Sequence, residues 1–303
     1  MKRATRTAYA ALLALTLVWG YNWVAIKIAT HDADAFSISA IRSVLAVVSL
    51  FAALVLMRRS LRPTPLVPTI VLGLLQTTGF TLFQTLAVAT GGAGKTAILA
   101  YTMPFWLAIL AWPFLHERLT RTGWVVLALA ALGLALVLTP LDLAAGLTSK
   151  LLAVAAAMSW AASAVYAKKL RARHDVELLP LTAWQMLFGS IPLVIAALLV
   201  PQHHVDLTPS FLASIVYIGL PGTGLAWLLW LFILHRLPAS TAGFASLLTP
   251  VIGVLAAWLQ LGERPGAFEL AGMACIVAAL VLNTWPGRAR ITATSADVAT
   301  KLR

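Results

Sequence analysis

The chain is predicted to be an all-α integral membrane protein of ten transmembrane helices, arranged as two inverted five-helix repeats. Three observations predict it. Of 303 residues 61% are hydrophobic and only 11% charged, with a mean hydropathy of +0.91, where an ordinary soluble domain is roughly 25% charged. The charges fall in brief clusters separated by apolar runs of about 20 residues, the length a helix needs to cross the hydrocarbon core. One spacing occurs twice: Pro104 is followed thirteen residues on by Glu117 and Arg118, and Pro250 thirteen residues on by Glu263 and Arg264.

In chain order the apolar runs cover about 8–27, 35–57, 66–89, 95–114, 122–140, 150–169, 178–200, 210–235, 239–261 and 267–285. Strict alternation is absent and Ala and Leu dominate, as from Val126 to Leu138, so a helical bundle is favoured over a barrel. The first run follows MKRATR, the pattern of a secretory signal. It lacks a small-residue cleavage site and contains Trp19, Asn22 and Trp23, so it reads as a retained span. Connections are short, leaving no room for a soluble catalytic domain. The expected organisation is a first repeat over 1–145, a second over 146–287 and a basic cytoplasmic tail over 288–303.

The duplication extends beyond the two proline motifs. An offset of 146 also maps Gly73 to Gly219, and an offset of 141 maps Trp19 to Trp160 and Lys27 to Lys168. Loop-length changes between copies account for the difference. The repeat unit is therefore five spans, an odd number, so the second copy enters the membrane upside down. This is the plan of many secondary transporters, with the substrate near mid-membrane between the halves.

Lys and Arg set the orientation. With the amino terminus inside, ten spans return the carboxyl terminus to the same side. The clusters Lys2/Arg3/Arg6, Arg58/Arg59/Arg62, Arg118/Arg121, Lys168/Lys169/Arg171/Arg173 and Arg288/Arg290 then all fall inside, whereas Lys95, Lys150 and Arg264 alone fall in outer loops. The net charge of +12 is thus explained by cations beside anionic headgroups, and no nucleic-acid partner is implied. A monomeric bacterial inner (plasma) membrane protein with both termini cytoplasmic is expected.

Several chemistries are disfavoured. The single Cys275 permits no disulfide framework or thiolate cluster, and the six histidines fall at span ends or in loops; no metal or cofactor is expected. Residues 91–96 read GGAGKT, yet a phosphate loop needs a glycine at position 89, which is alanine. With every histidine and carboxylate peripheral, a membrane-embedded enzyme lacks its acid, base or nucleophile. The absence of a mid-membrane carboxylate also points to uniport rather than proton or cation coupling. A channel would need a continuous lined pore, whereas helix breakers in both halves suit alternating access.

Those breakers are Pro104 and Pro250 near the centres of their spans, Pro221, Gly222 and Gly224 in the eighth span, and Gly79 in the third; they are the candidate hinges. Deep indoles need acceptors and so border protein or a wet cavity. The candidate substrate-binding set is Trp19, Asn22, Trp23, Phe80, Gln84, Tyr101, Trp160, Ser163, Trp184, Gln185, Trp227 and Phe244, which together suit an amphipathic solute with an apolar side chain. Arg42 and Lys27 are the only cations in the spans that could enter a cavity. For them two readings stay open: binding a carboxylate, or pairing with Asp32 or Asp34 and snorkelling outward.

The segments LTLVWGYNWVAIK, FLHERLTRTGW and LQLGERPGAFELAG, together with the repeat, resemble the EamA-type branch of the drug/metabolite transporter superfamily over the whole chain. The TLVWGYNW opening and the Trp-rich spans are most similar to the bacterial aromatic amino-acid exporters. The resemblance implies export of aromatic and other neutral amino acids across the lipid bilayer. The alternative is an exporter of drugs or small neutral metabolites such as nucleobases, for which proton coupling stays open.

Overall fold

The computed structural model describes residues 2–91, 99–100, 102–117, 120–137, 147–201, 204–239, 242, 246, 248–261 and 266–284. Among these, every regular element is helical: α1 (Lys2–Ala29), α2 (Ala35–Leu56), α3 (Leu66–Gly73), π1 (Leu74–Gly79), α4 (Phe80–Gly91), α5 (Met103–Leu115), α6 (Arg121–Val137), α7 (Leu147–Arg173), α8 (Leu178–Leu199), α9 (Pro209–Gly219), π2 (Leu220–Leu225), α10 (Ala226–Arg236), α11 (Leu248–Leu261) and α12 (Ala267–Thr284). The stretches Thr7–Ala29, Ala35–Leu56, Leu66–Thr90, Leu147–Arg173, Leu178–Leu199 and Pro209–Arg236 are long and apolar enough to cross a membrane. Shorter apolar helices occupy Met103–Leu115, Arg121–Leu136, Val251–Gln260 and Leu270–Ala279.

Local sequence explains the helix ends. α9 starts where Thr208 Oγ1 accepts the Phe211 N–H at 3.1 Å and Pro209 supplies a preset φ, the usual start signal. α5 ends at His116, whose left-handed φ of 55° turns the chain so that the Glu117 N–H closes back on Ala111 O at 3.2 Å. Pro104 occupies the first turn of α5, after Thr102. Pro104, expected near the centre of its span, thus sits in a first helical turn, which proline suits because it lacks the N–H that an interior position must donate but a first turn need not.

The two π segments are related by the offset of 146 seen in the sequence, residues 74–79 mapping onto 220–225. A π segment inserts one extra residue into a helical turn and loosens the backbone ladder there. Each divides a long apolar helix: α3, π1 and α4 are continuous, as are α9, π2 and α10.

Helix neighbours obey the same correspondence. α2 packs on α8 and α6 on α12, each pairing one element with its counterpart. α1 lies against α9, α10 and α11, while α7 lies against α4, π1 and α5; α2 meets π2 as α8 meets π1. These particular contacts correspond under exchange of the halves. Backbones approach closely at the α3–α8 crossing, where a Cβ on either Gly73 or Gly189 would run into the other helix's main chain. Small residues at such crossings give helices in lipid the van der Waals contact that a hydrophobic driving force cannot supply.

The outer surface is apolar. Leu259 is 84% exposed and Trp112 and Trp124 are 64% and 61% exposed, tolerable where the solvent is hydrocarbon with indoles at its interface. The interior carries the polar groups, the reverse of a soluble protein, with Gln76, Thr77, Thr81, Gln185 and Thr182 fully buried.

Candidate functional site

A small cavity lies where α1, α2, α4, α7, π2 and α10 converge. Its walls are Trp19, Asn22 and Trp23 from α1, Arg42 from α2, Phe80 and Gln84 from α4, Ala100, Trp160 from α7, Gly222 and Thr223 from π2, and Trp227 from α10. Both halves contribute, and α1 and α7 supply the repeat-related pair Trp19 and Trp160.

Aromatic rings form most of the wall. Trp19 meets Trp160 edge-on at 5.1 Å between centroids and Trp227 at 5.4 Å, and Phe80 meets Trp160 at 5.2 Å and Trp227 at 5.6 Å. Trp230 backs the cluster, 5.4 Å from Trp160. Such edge-to-face contacts add roughly 0.5–1.5 kcal/mol each beyond area burial. The free space is about 20 Å³, room for about one water and far below the roughly 300 Å³ of a small ligand pocket. In this conformation the described rings leave no room for a solute.

The polar groups are few and incompletely satisfied. Trp19 Nε1 donates to Gly222 O at 3.1 Å, which ties α1 to π2. Asn22 Oδ1 is buried without a hydrogen-bond partner and sits so close to Gly222 that a Cβ there would collide with it. Trp160 Nε1 and Trp230 Nε1 also lack acceptors. Arg42 is 2% exposed; it donates from Nη2 to Gln84 Oε1 at 3.2 Å, and its Nε has no partner among the described residues.

Of the candidate binding residues, the structure brings Trp19, Asn22, Trp23, Phe80, Gln84, Trp160 and Trp227 to this cavity, with Gly222 from the candidate hinges. Three candidates lie elsewhere. Ser163 is fully buried and donates to Trp160 O at 2.7 Å within its own helix. Trp184 stacks on Phe51 and Phe188, and Gln185 Oε1 accepts from Thr77 at 3.1 Å, so both belong to the packing of α8 against α2 and π1. Tyr101 and Phe244 fall outside the described residues, as does the Glu263–Arg264 motif. Gly79, Pro221, Gly222 and Gly224 are all in π segments, and Pro250 is in α11.

The sequence did not single out Thr223 and Ala100 as lining residues, and Arg42 was left between two readings. Thr223 belongs to the same Pro-Gly-Thr-Gly run as the hinges, but its Oγ1 donates to Ile218 O at 2.7 Å. Arg42 carried a signal, since a lone arginine within an apolar run marks a functional position by default.

A second interlock lies at the far end of α7. Lys168 Nζ is 3.5 Å from Glu117 Oε1 and donates to Leu237 O at 2.9 Å, while the Ala239 N–H donates to the same Glu117 oxygen at 3.2 Å. Glu117 is 6% exposed. Glu117 of the first-half Glu-Arg pair thus clamps α7 and the segment after α10. Beyond it opens a pocket lined by Leu115, Lys168, Arg171, Leu234 and His235.

A bundle of apolar helices with paired π segments and an aromatic cavity between its halves has the form of a membrane carrier. The chain belongs to the EamA-like transporter family, whose sequence profile matches it twice, over residues 6–139 and 147–285. It is 28% identical to the uncharacterized transporter YoaV of Bacillus subtilis (strain 168), over 90% of this chain and 95% of that protein. It is 29% identical to a probable amino-acid metabolite efflux pump of Salmonella typhimurium, over 93% and 96% respectively. A protein of the latter description in Escherichia coli (strain K12) is 27% identical over 90% and 93%. A solved crystal structure matches with a TM-score of 0.78 at 21% identity, covering 92% of this chain and 96% of that one; this likeness concerns the fold.

Proposed function

We propose that the protein exports aromatic and other neutral amino acids by alternating access, as a uniporter, from ten spans arranged as two inverted repeats. It would sit in a bacterial inner membrane with both termini cytoplasmic. The observation that carries this reading is the convergence of Trp19, Trp160, Trp227 and Phe80 on one cavity between the halves. Flat rings present large apolar faces suited to an aromatic or aliphatic side chain, and Asn22 and Gln84 supply neutral hydrogen-bonding groups beside them. No carboxylate is among the lining residues described, in keeping with transport that needs no titrating acid. The clamp of Glu117 on Lys168 would be an inner gate, closed here.

The test is counterflow of labelled phenylalanine into liposomes holding the purified protein, with no ion gradient. Saturable uptake suppressed by tryptophan or methionine is expected. If uptake is absent and an imposed proton or sodium gradient is required, uniport is wrong. If uracil or adenine competes while amino acids do not, the substrate class is wrong.

A further inference from the structure

We propose that Arg42 is the receptor for an anionic group in the cavity and holds the carboxylate of the transported solute, which makes a free carboxylate obligatory for substrates. This deepens the amino-acid reading and rests on it for the identity of the solute.

Arg42 lies seven residues into α2, about 10 Å along the helix from its start at about 1.5 Å per residue. It is buried there and lines the cavity. The reading of pairing with Asp32 or Asp34 and snorkelling outward does not hold: the side chain does not reach outward, and among the described residues no carboxylate pairs with it. Asp32 accepts from Thr208 Oγ1 at 3.0 Å instead. A guanidinium cannot shed its proton to escape burial. A buried charge without a counter-ion is a standing cost that an arriving anion removes.

The unused donor geometry fits a carboxylate. Nη2 is held by Gln84 Oε1, a neutral acceptor, while the Nε–H has no acceptor. Side-on recognition of a carboxylate uses the Nε–H together with a terminal N–H in a planar fork. Gln84 is therefore a positioning residue and a temporary acceptor that the solute can displace. Elsewhere in the cavity Asn22 Oδ1 has no donor, and the indole faces attract cations, so an ammonium group finds partners there. One cation, one orphan acceptor and a ring of indoles together match an α-amino acid with an apolar side chain.

The experiment is counterflow of labelled phenylalanine by wild type and by Arg42→Gln and Arg42→Lys, with phenylalanine, 3-phenylpropionate, phenylalaninamide and phenethylamine as competitors. In wild type the two acids should compete and the amide and amine should not. Arg42→Gln should weaken competition by both acids at least about 30-fold, as for losing one partner of a buried hydrogen-bonded charge pair, while Arg42→Lys recovers part of it. Equal competition by phenylalanine and its amide in wild type, or unchanged competition by the acids in Arg42→Gln, overturns the proposal and leaves the amino-acid reading standing. If wild type carries no phenylalanine, that reading fails, and Arg42 is judged separately by intrinsic tryptophan fluorescence of the detergent-solubilised proteins. A response to 3-phenylpropionate but not phenethylamine, lost in Arg42→Gln, supports the anion site; identical responses in the two proteins overturn it. Monodisperse elution of each variant on size exclusion excludes misfolding as the cause.

Discussion

Gly222 is the residue on which the cavity's geometry turns. Its carbonyl receives the Trp19 indole, and its missing side chain admits Asn22. Gly222→Ala should therefore force Asn22 aside and lower thermal stability in detergent by about 1–3 kcal/mol, the usual range for overpacking. The double variant Asn22→Ala with Gly222→Ala should recover most of that loss; no recovery would place the collision elsewhere. Trp19→Phe keeps a ring but removes the donor, leaving Gly222 O without that partner at a cost of about 1–3 kcal/mol. The check is the melting temperature of purified protein with and without phenylalanine. The indoles of this cluster were visible in the sequence as too deep for an interfacial belt. Their convergence was not, because depth along a helix says nothing about the face on which a side chain lies. Trp184 and Gln185 have similar depth to the lining residues and point into packing instead.

Among the elements, the π segments carry the functional argument. Each is bonded by the Trp-bearing helix of the opposite half: Trp19 of α1 donates to Gly222 O of π2, and Ser159 of α7 donates to Leu75 O of π1 at 2.7 Å. The loosened turn in one half thereby reports to the other half's central helix. Ser159→Ala should slow phenylalanine counterflow several-fold with little change in half-saturation, since it alters a moving joint rather than a wall. A change in half-saturation alone would assign Ser159 to binding. Pro104→Ala tests the break before α5 differently. A first-turn proline replaces an N–H that is not needed by the helix, so stability should change by less than about 1 kcal/mol, and the thermal melt measures it. The prolines and glycines showed in the sequence where helices depart from regularity. Whether the departure was a kink, a break or a π turn depended on which carbonyls found partners across helices.

At the scale of the whole molecule, the proposed alternating access makes a cavity of about 20 Å³ and a buried clamp at the far end of α7 the marks of a closed state. Opening must separate Glu117 from Lys168 and from the Ala239 N–H. Glu117→Gln removes the charge attraction while keeping an acceptor, and should shift the population towards opening on that side. With Cys275→Ala as background and Leu234→Cys as reporter, a membrane-impermeant maleimide should label the Glu117→Gln protein several-fold faster than its parent. Equal labelling would reduce the clamp to a packing feature. Duplication was legible through the prolines and the Glu-Arg pairs. That Glu117 is buried and ties its half to α7 was not, since an acid at a helix end reads as solvated until something covers it.

The sequence alone pointed to a chain that lives in lipid, to halves that are related and to indoles deep enough to border a cavity. These follow from composition, period and spacing, which are one-dimensional quantities that helix length and bilayer thickness convert directly into structure. The tertiary structure alone decided which rings meet, that residues 74–79 and 220–225 are π turns, and that Arg42 faces the cavity with no carboxylate beside it among the described residues. Each of those depends on helix rotation and on partners more than 40 residues away, such as Arg42 with Gln84 and Trp19 with Gly222. No local pattern encodes a contact whose second half is set by how another helix packs.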